Sequence, residues 1–507
     1  MIKTSANQLS HRIQFLELFV LVISALLALT ATTWQFRGED ELLILQRAYG
    51  IVEGIRQLDL RAFVGSTIGS QQPPARNVLV IPFVYALKNQ EIALRIPGII
   101  LWIATIGIAM RIARTLANRQ AGIWTGMFLG LSGLFTVTVP HVAAWYVLCI
   151  MVFILHLTRH PVEALDCNKG GRKYFYYGNA YLFLATLYFT SAAPMVVLFN
   201  CYYLILSLKE NRVSFSTAAG TFFPFVVIGS TYFIYAGVFF GIPWVAAKYS
   251  LVDGVIGMLA HHIQRGHMTG LNVHSFVLNA KAINGYFLPF FSWFILIIAI
   301  SHIYAKNRKL LLFIGPQAVI FSFLLRGNTD QHFAYFFIWI VPFGIAALHN
   351  YKNTRLVKIF LPFFLVGVVI WTSVFHISRY SEDAYPQKFL GKVYSDFSRP
   401  PNIWRPINSI VATLRHNLRP GDKIAQFGID GAISMYYFEH DAWVTRPLSW
   451  EGKQIICEED FDNSGDRDIR MVLLGGGKDV CEAIIGKRWV YGESSISVVI
   501  LDIDSER

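Results

Sequence analysis

Long apolar runs separated by short polar connections fill most of the chain, and the pattern stops near residue 377. Runs of roughly 17 to 25 mostly apolar residues are long enough to cross a bilayer as helices. The runs predict spans near 13–34, 92–110, 121–139, 142–157, 177–191, 193–208, 215–238, 286–304, 310–325, 332–348 and 359–376, about eleven in all. From Ser378 onward no run is long enough, and shorter signals of both kinds alternate. "WRPINSIVATLRHNL" has helical spacing, and "RPGDK" is a turn before the strand-like "IAQFGI". "IRMVLLGGG" reads as strand then loop, "KDVCEAIIG" as a short helix and "SISVVILDI" as a closing strand. The expected architecture is an α-helical polytopic membrane domain over 1–376, followed by a small α/β domain over 377–507.

Charge decides the orientation. Lys3 and Arg12 precede the first run, and alternate connections carry Arg111, Arg114 and Arg119; Arg159, Lys169, Arg172 and Lys173; Lys209 and Arg212; Lys306, Arg308 and Lys309; Lys352, Arg355 and Lys358. Basic loops stay on the cytoplasmic side, so the N-terminus is expected there. Loops at about 35–91 and 239–285, and the tail, then lie outside a cytoplasmic (inner) membrane. "LTATTW" offers small residues for cleavage, but the run before it exceeds a signal core, which favours an uncleaved first helix.

Composition agrees, with 54% hydrophobic and 15% charged residues and a mean hydropathy of +0.45, unlike an ordinary soluble domain. The formal charge of +12 resides in the connections. No Lys/Arg-rich tract with interleaved aromatics appears, so nucleic acid is not an expected partner. The glycine run at 475–477 lacks the spacing of a nucleotide fingerprint. Cys457 and Cys481 lie in the outer tail, where a disulfide and two free thiols are both open. No CxxC or HExxH pattern occurs, and His261, His262, His267 and His274 fit no standard site, so no metal is expected.

The candidate chemistry starts at "FRGEDELLILQRAYG", where Glu39, Asp40 and Glu41 follow the first span. Further on come Pro73-Pro74, then Ala93-Leu94-Arg95-Ile96-Pro97 opening the second span, and later "DQHFAYFFIWIVPF" with His332, Tyr335 and Pro342. This order resembles the C-type glycosyltransferases, and most of all their protein mannosyltransferase and lipid A aminoarabinose transferase branch. Departures are Gln72, where the family often has a lysine, "ARNV" in place of an aromatic run after Pro73-Pro74, and Glu39 beside the acidic pair. The resemblance implies transfer of a sugar from a polyprenyl-phosphate carrier to a glycan, lipid or protein acceptor at the extracytoplasmic face. It implies no cofactor beyond the lipid-linked donor.

Such a transfer needs a base for the acceptor's proton, worth roughly 10²–10⁴-fold in rate. Asp40 is the expected base, with Glu41 and Glu39 as alternates. It also needs cations for the leaving phosphate, and Arg95, Arg326 and Arg76 fall at outer helix ends by this topology. His332 and Tyr335 are candidate substrate contacts. Plainer readings exist: a solvated acidic loop start, arginines whose heads snorkel to the interface, and an aromatic belt. A lipid-linked glycan flippase or a non-catalytic component of envelope glycan assembly are the alternative functions. A transporter favours ionisable residues at the midplane and internal repeats. Here the spans are nearly free of charge, Glu17 excepted, and no repeat of halves is visible.

Overall fold

The structure is a computed structural model, and it describes residues 2–30, 39–60, 63, 75–87, 90–139, 142–160, 169–188, 192–209, 219, 223, 277, 291–319, 330–350 and 354–380, together with five strands beyond residue 422. Among the described residues the helices are α1 (Ile2–Leu29), α2 (Glu39–Arg56), α3 (Ala75–Ala86), α4 (Gln90–Leu116), α5 (Arg119–Leu131), α6 (Phe135–Thr138), α7 (Ala144–Arg159), α8 (Lys169–Thr186), α9 (Ala193–Lys209), α10 (Phe291–Val319), α11 (Asp330–Asn350) and α12 (Thr354–Tyr380). The chain divides into two compact units, one of 1–34 with 45–403 and the other of 35–44 with 404–507.

Two helical stretches of the first unit, Ile92–Leu116 and Phe333–Asn350, are long and apolar enough to cross a membrane by length and composition. The surface pattern points the same way. On α1, Phe15, Leu18, Phe19, Val22 and Leu26 are exposed, while Val20, Ser24 and Ala28 are buried. On α12, Ile359, Phe363, Val366 and Ile370 are exposed in the same fashion. Continuous apolar helix faces of this size are a liability in water and are satisfied by lipid. The unit is helical, with faces of the kind that lipid covers.

Inside, α4 is the hub, packed against α3, α5, α7, α11 and α1. Helix α5 starts at Asn118, whose side chain accepts a hydrogen bond from the Ala121 N–H at 2.9 Å. Its face toward α1 and α4 repeats Gly122, Gly126 and Gly130. A Cβ at Gly126 would lie 2.9 Å from Val20 Cγ1 and 2.7 Å from Met110 Sδ, and one at Gly130 would collide with Ser24 Oγ. Helices approach this closely in a membrane only over small residues.

One end of the α1–α5 contact is clamped by charge. Arg119 Nε and Nη2 donate to the two Glu17 carboxylate oxygens at 2.9 and 2.8 Å, and Arg114 stands 4.0 Å from the same carboxylate. The ionic exception that the sequence placed in the first span thus has a structural partner. Glu17→Gln or Arg119→Leu alone is expected to cost about 1–3 kcal/mol, because each leaves a half-buried charge without its bidentate partner. The double variant should cost less than the sum of the two. Thermal unfolding in detergent measures this coupling, and strictly additive losses would show that there is none.

The run 121–139 and the loop 35–91 differ from expectation. The run 121–139 is broken into α5 and α6 at Ser132–Leu134. Ser132 Oγ donates to the Leu129 carbonyl at 2.8 Å and accepts from the Leu134 N–H at 3.4 Å, and such local bonds compete with the helix ladder. The expected break between the runs 286–304 and 310–325, by contrast, is present within α10 at Asn307, which leaves helical geometry (φ −150°, ψ 52°) between two helical segments. The outer loop 35–91 contains α2 and α3. The run 215–238 and the loop 239–285 lie outside the described residues, apart from isolated positions.

The described part of the second unit beyond residue 404 is a mixed sheet of β1 (Lys423–Phe427), β2 (Ala442–Val444), β3 (Ile469–Gly475), β4 (Trp489–Glu493) and β5 (Ile496–Ile500), in the order β2-β1-β3-β5-β4. β1 runs parallel to β2 and to β3, with Ala425 opposite Val472. β5 is antiparallel to both β3 and β4. Three strands match the stretches read as strands from sequence, whereas β2 and β4 were not anticipated. The helices expected in this tail, and Cys457 and Cys481, lie outside the described residues.

Candidate functional site

The acids come first. Glu39, Asp40 and Glu41 are the opening residues of α2 rather than part of an irregular loop; their side chains lie outside the described residues. Consecutive helical positions are about 100° apart, so the three acids occupy diverging positions on the helix. Helix α2 forms because "LLILQRAYGIVEGIR" carries apolar residues at helical spacing. Ile44, Leu45, Ala48 and Ile51 are the buried side of that pattern. The segment 35–44 belongs to the second unit and the rest of α2 to the first.

Within the first unit, two of the three candidate arginines are buried. Arg76 is the second residue of α3, just after Pro73-Pro74, and the helix start is tied down by the Ala75 N–H donating to the Leu187 carbonyl at 2.9 Å. Arg76 is only 9% exposed. Its guanidinium carbon lies 5.2 Å from the centre of the Tyr188 ring, an attractive cation–π arrangement. Its Nε is buried with no hydrogen-bond partner among the described residues. A buried charged donor costs free energy unless a partner completes it.

From Tyr188 the contacts continue inward. Its ring stacks on Tyr146 of α7 at 6.3 Å between centroids. Tyr146 in turn meets Tyr335 and Trp339 of α11 edge-on, at 6.1 and 5.6 Å. All four rings are buried. Tyr335 is therefore a core member of this cluster rather than a belt residue facing lipid.

Arg95 is fully buried, at 0% exposure, one of the largest side chains in the core. Pro97 follows inside α4 and, lacking an N–H, removes the bond that the carbonyl four residues earlier would accept. One residue further, a Cβ at Gly98 would collide with the Val139 carbonyl oxygen, so α4 touches the α6–α7 turn directly. That turn passes through Val142 at φ 57°, a left-handed conformation that strains a β-branched residue. Such strain costs of order 1–3 kcal/mol and persists only where packing enforces it. The turn leads into α7, which packs against α4.

The structure thus brings Arg76 and Tyr335 into one chain of contacts through Tyr188 and Tyr146, and buries Arg95 in a helix that packs on α3, α7 and α11. Arg326 lies outside the described residues, and so does the side chain of His332. Among the described residues, no group of three or more His, Cys, Asp or Glu side chains is placed to hold a metal ion. The aromatic partners Tyr146, Tyr188 and Trp339 were not singled out from sequence. Aromatic residues near span ends carry no mark that separates a buried cluster from a lipid-facing belt.

No protein-family model matches the chain, and no curated protein matches it by sequence. Solved structures do match. ArnT from Cupriavidus metallidurans in the apo state superposes with a TM-score of 0.58 at 13% identity, covering 98% of this chain and 98% of that chain. ArnT bound to undecaprenyl phosphate gives 0.57 at 13% identity over 97% and 99%. The chain has the C-type glycosyltransferase fold. The archaeal oligosaccharyltransferase AglB from Archaeoglobus fulgidus, in complex with an inhibitory peptide and a dolichol-phosphate, matches more distantly, with a TM-score of 0.46 at 12% identity over 91% of this chain and 69% of that chain. The fold assignment rests on ArnT. It agrees with the resemblance drawn from the acidic cluster, Pro73-Pro74 and the Arg95-Ile96-Pro97 motif.

Proposed function

We propose that this chain is a membrane glycosyltransferase that moves a sugar from a polyprenyl-phosphate carrier to an acceptor at the extracytoplasmic face. The observation that carries the reading is Arg76, a buried guanidinium in a bundle of the C-type fold whose Nε has no hydrogen-bond partner among the described residues. Arginine matches phosphate oxygens with paired, charge-assisted hydrogen bonds. An anionic lipid phosphate is the ligand chemistry that would complete it, and undecaprenyl phosphate bound to ArnT is such a compound. Arg95 and Arg326 are proposed as further phosphate contacts, with Tyr335 and His332 as substrate contacts.

In the proposed reaction the acceptor's hydroxyl or amine attacks the anomeric carbon as the bond from that carbon to the phosphate oxygen breaks. Asp40 takes the acceptor's proton, and the polyprenyl phosphate leaves with the extra negative charge, which the arginines stabilise in the transition state. The start of a helix favours ionised carboxylates, and the ionised form is the one a base requires. Glu41 and Glu39 are the alternates. The lipid-linked sugar is the donor substrate, and no cofactor is proposed. The acceptor class, whether glycan, lipid or protein, is read by comparing the glycoconjugates of a deletion strain with those of its parent.

The proposed orientation places the N-terminus in the cytoplasm and 377–507, as an α/β domain, outside. Reporter fusions after Asn118, Lys209 and Lys352 are expected to read cytoplasmic, and those after Gly69 and Gly465 extracytoplasmic. A cytoplasmic reading at Gly465 would overturn both the orientation and the outer site. Transfer itself is tested in membranes supplied with polyprenyl-phosphate sugar. Movement of the lipid-linked sugar between leaflets without any transfer would replace the enzyme by a flippase.

A further inference from the structure

The connection between α7 and α8 carries a cluster that the transfer reaction does not use. His156, in the last turn of α7, is buried, and its Nε2 lies 2.7 Å from the Tyr174 carbonyl oxygen of α8. That contact pins the two helices together where they leave the bundle. Around it, the His160 ring stacks on the Tyr174 ring at 3.9 Å and 21°, and the Lys173 ammonium sits 4.9 Å from the centre of the same ring. Tyr181 and Tyr177 close on His156 at 5.8 and 6.5 Å. Lys173 is exposed, and so is Tyr177, at 52%.

A fixed pair of stacked rings therefore carries an exposed ammonium, beside a phenol that reaches the surface. Along the connection, the bases Arg159, Lys169, Arg172 and Lys173 outnumber the acids Glu163 and Asp166; both acids, and the side chains of Lys169 and Arg172, lie outside the described residues. By the proposed orientation this end faces the cytoplasmic leaflet, where anionic lipids concentrate and basic clusters between helices bind their headgroups. Tyrosines at that depth place an apolar ring in the acyl boundary and a hydroxyl at the headgroup.

We propose that the His160–Tyr174–Lys173 cluster at the α7–α8 connection is a binding site for one anionic glycerophospholipid of the cytoplasmic leaflet. Its phosphate is held by Lys173 and His160, and its acyl chain lies along the exposed side of the Tyr177 ring. The site is separate from the proposed donor site, so its failure leaves the transferase reading standing; of that reading it rests only on the proposed orientation.

The test titrates the purified full chain in detergent with phosphatidylglycerol and, separately, with phosphatidylcholine of the same acyl chains, and counts retained lipid by native mass spectrometry. One phosphatidylglycerol should be retained at least tenfold more strongly than phosphatidylcholine. Lys173→Gln should weaken that retention about fivefold, as expected for one charge near a headgroup, and His160→Ala with Lys173→Gln should abolish the preference. Lys309→Gln is the control, since Lys309 sits over the Tyr202 ring at 5.9 Å on another connection and should retain the wild-type preference. Thermal unfolding in phosphatidylcholine alone verifies that each variant folds, and Lys173→Gln alone serves if the double variant does not. Equal retention of the two lipids overturns the proposal. So does an unchanged preference in the Lys173 variant, or an equal loss in the Lys309 variant, which would mean a diffuse basic belt. Displacement of the lipid by millimolar inorganic phosphate would reassign the site to free phosphate and also overturn it.

Discussion

Asp40→Asn is expected to lower sugar transfer by about 10²–10⁴-fold in membranes that contain equal amounts of each variant, a barrier higher by about 3 to 5 kcal/mol. The substitution preserves size and hydrogen-bonding capacity and removes only the charge that accepts the proton. Donor binding should change little, because the lipid phosphate is assigned to arginines, so the loss should fall on kcat more than on the donor KM. The start of α2 makes the comparison with Glu39→Gln and Glu41→Gln informative. Three consecutive helical positions diverge by about 100° each, so one acid should dominate rather than all three sharing the loss. If Asp40→Asn keeps wild-type turnover while a neighbour's substitution abolishes it, that neighbour is the base. If all three variants keep it, the acids are only a solvated helix start.

Arg76→Met is expected to weaken donor binding by about 30- to 5,000-fold, the range for deleting one partner of a buried charge-assisted contact, while leaving the folded chain equally stable or more so. The two halves of this expectation have a single cause. The Arg76 guanidinium is buried, and its Nε has no acceptor among the described residues; a methionine of similar length removes the cost of burying a charge there. The cation–π contact with Tyr188 works against this, but is worth only about 0.5–2 kcal/mol. Thermal unfolding without donor, together with donor titration, separates the alternatives. A lower melting temperature with unchanged donor affinity would make Arg76 a purely structural cation.

Much of the bundle was legible because hydropathy over a bilayer-length window reports burial from water. The runs at 92–110 and 332–348 became α4 and α11 with small shifts at their ends. The same averaging hid the break at Ser132, since one hydroxyl bonding its own backbone barely changes a window mean. It also hid α2, although Ile44, Leu45, Ala48 and Ile51 were already spaced as one helical face. In the tail, β1, β3 and β5 had apolar runs, whereas β2 spans three residues and β4 contains Gly492, so neither had a pattern to read. Motif order flagged Arg95 and Tyr335, and the expected topology flagged Arg76, but what surrounds them was beyond both. The Tyr188–Tyr146 link joins residues far apart in the chain, and no local pattern records such a pairing.

The ion pair between α1 and α5 has a consequence for how the protein is made. Glu17 and Arg119 are 102 residues apart, and at roughly 5–20 residues per second of synthesis the carboxylate waits about 5 to 20 s for its guanidinium. During that interval α1 is at the membrane with a carboxylate near one end and Ser24 facing a glycine surface that has not yet been synthesised. Its seat in the bundle exists only once α5 has been inserted. Until then α1 lacks its charged partner. Weakening the pair should accordingly appear first as lower yield of inserted protein, before any change in the protein that is successfully assembled.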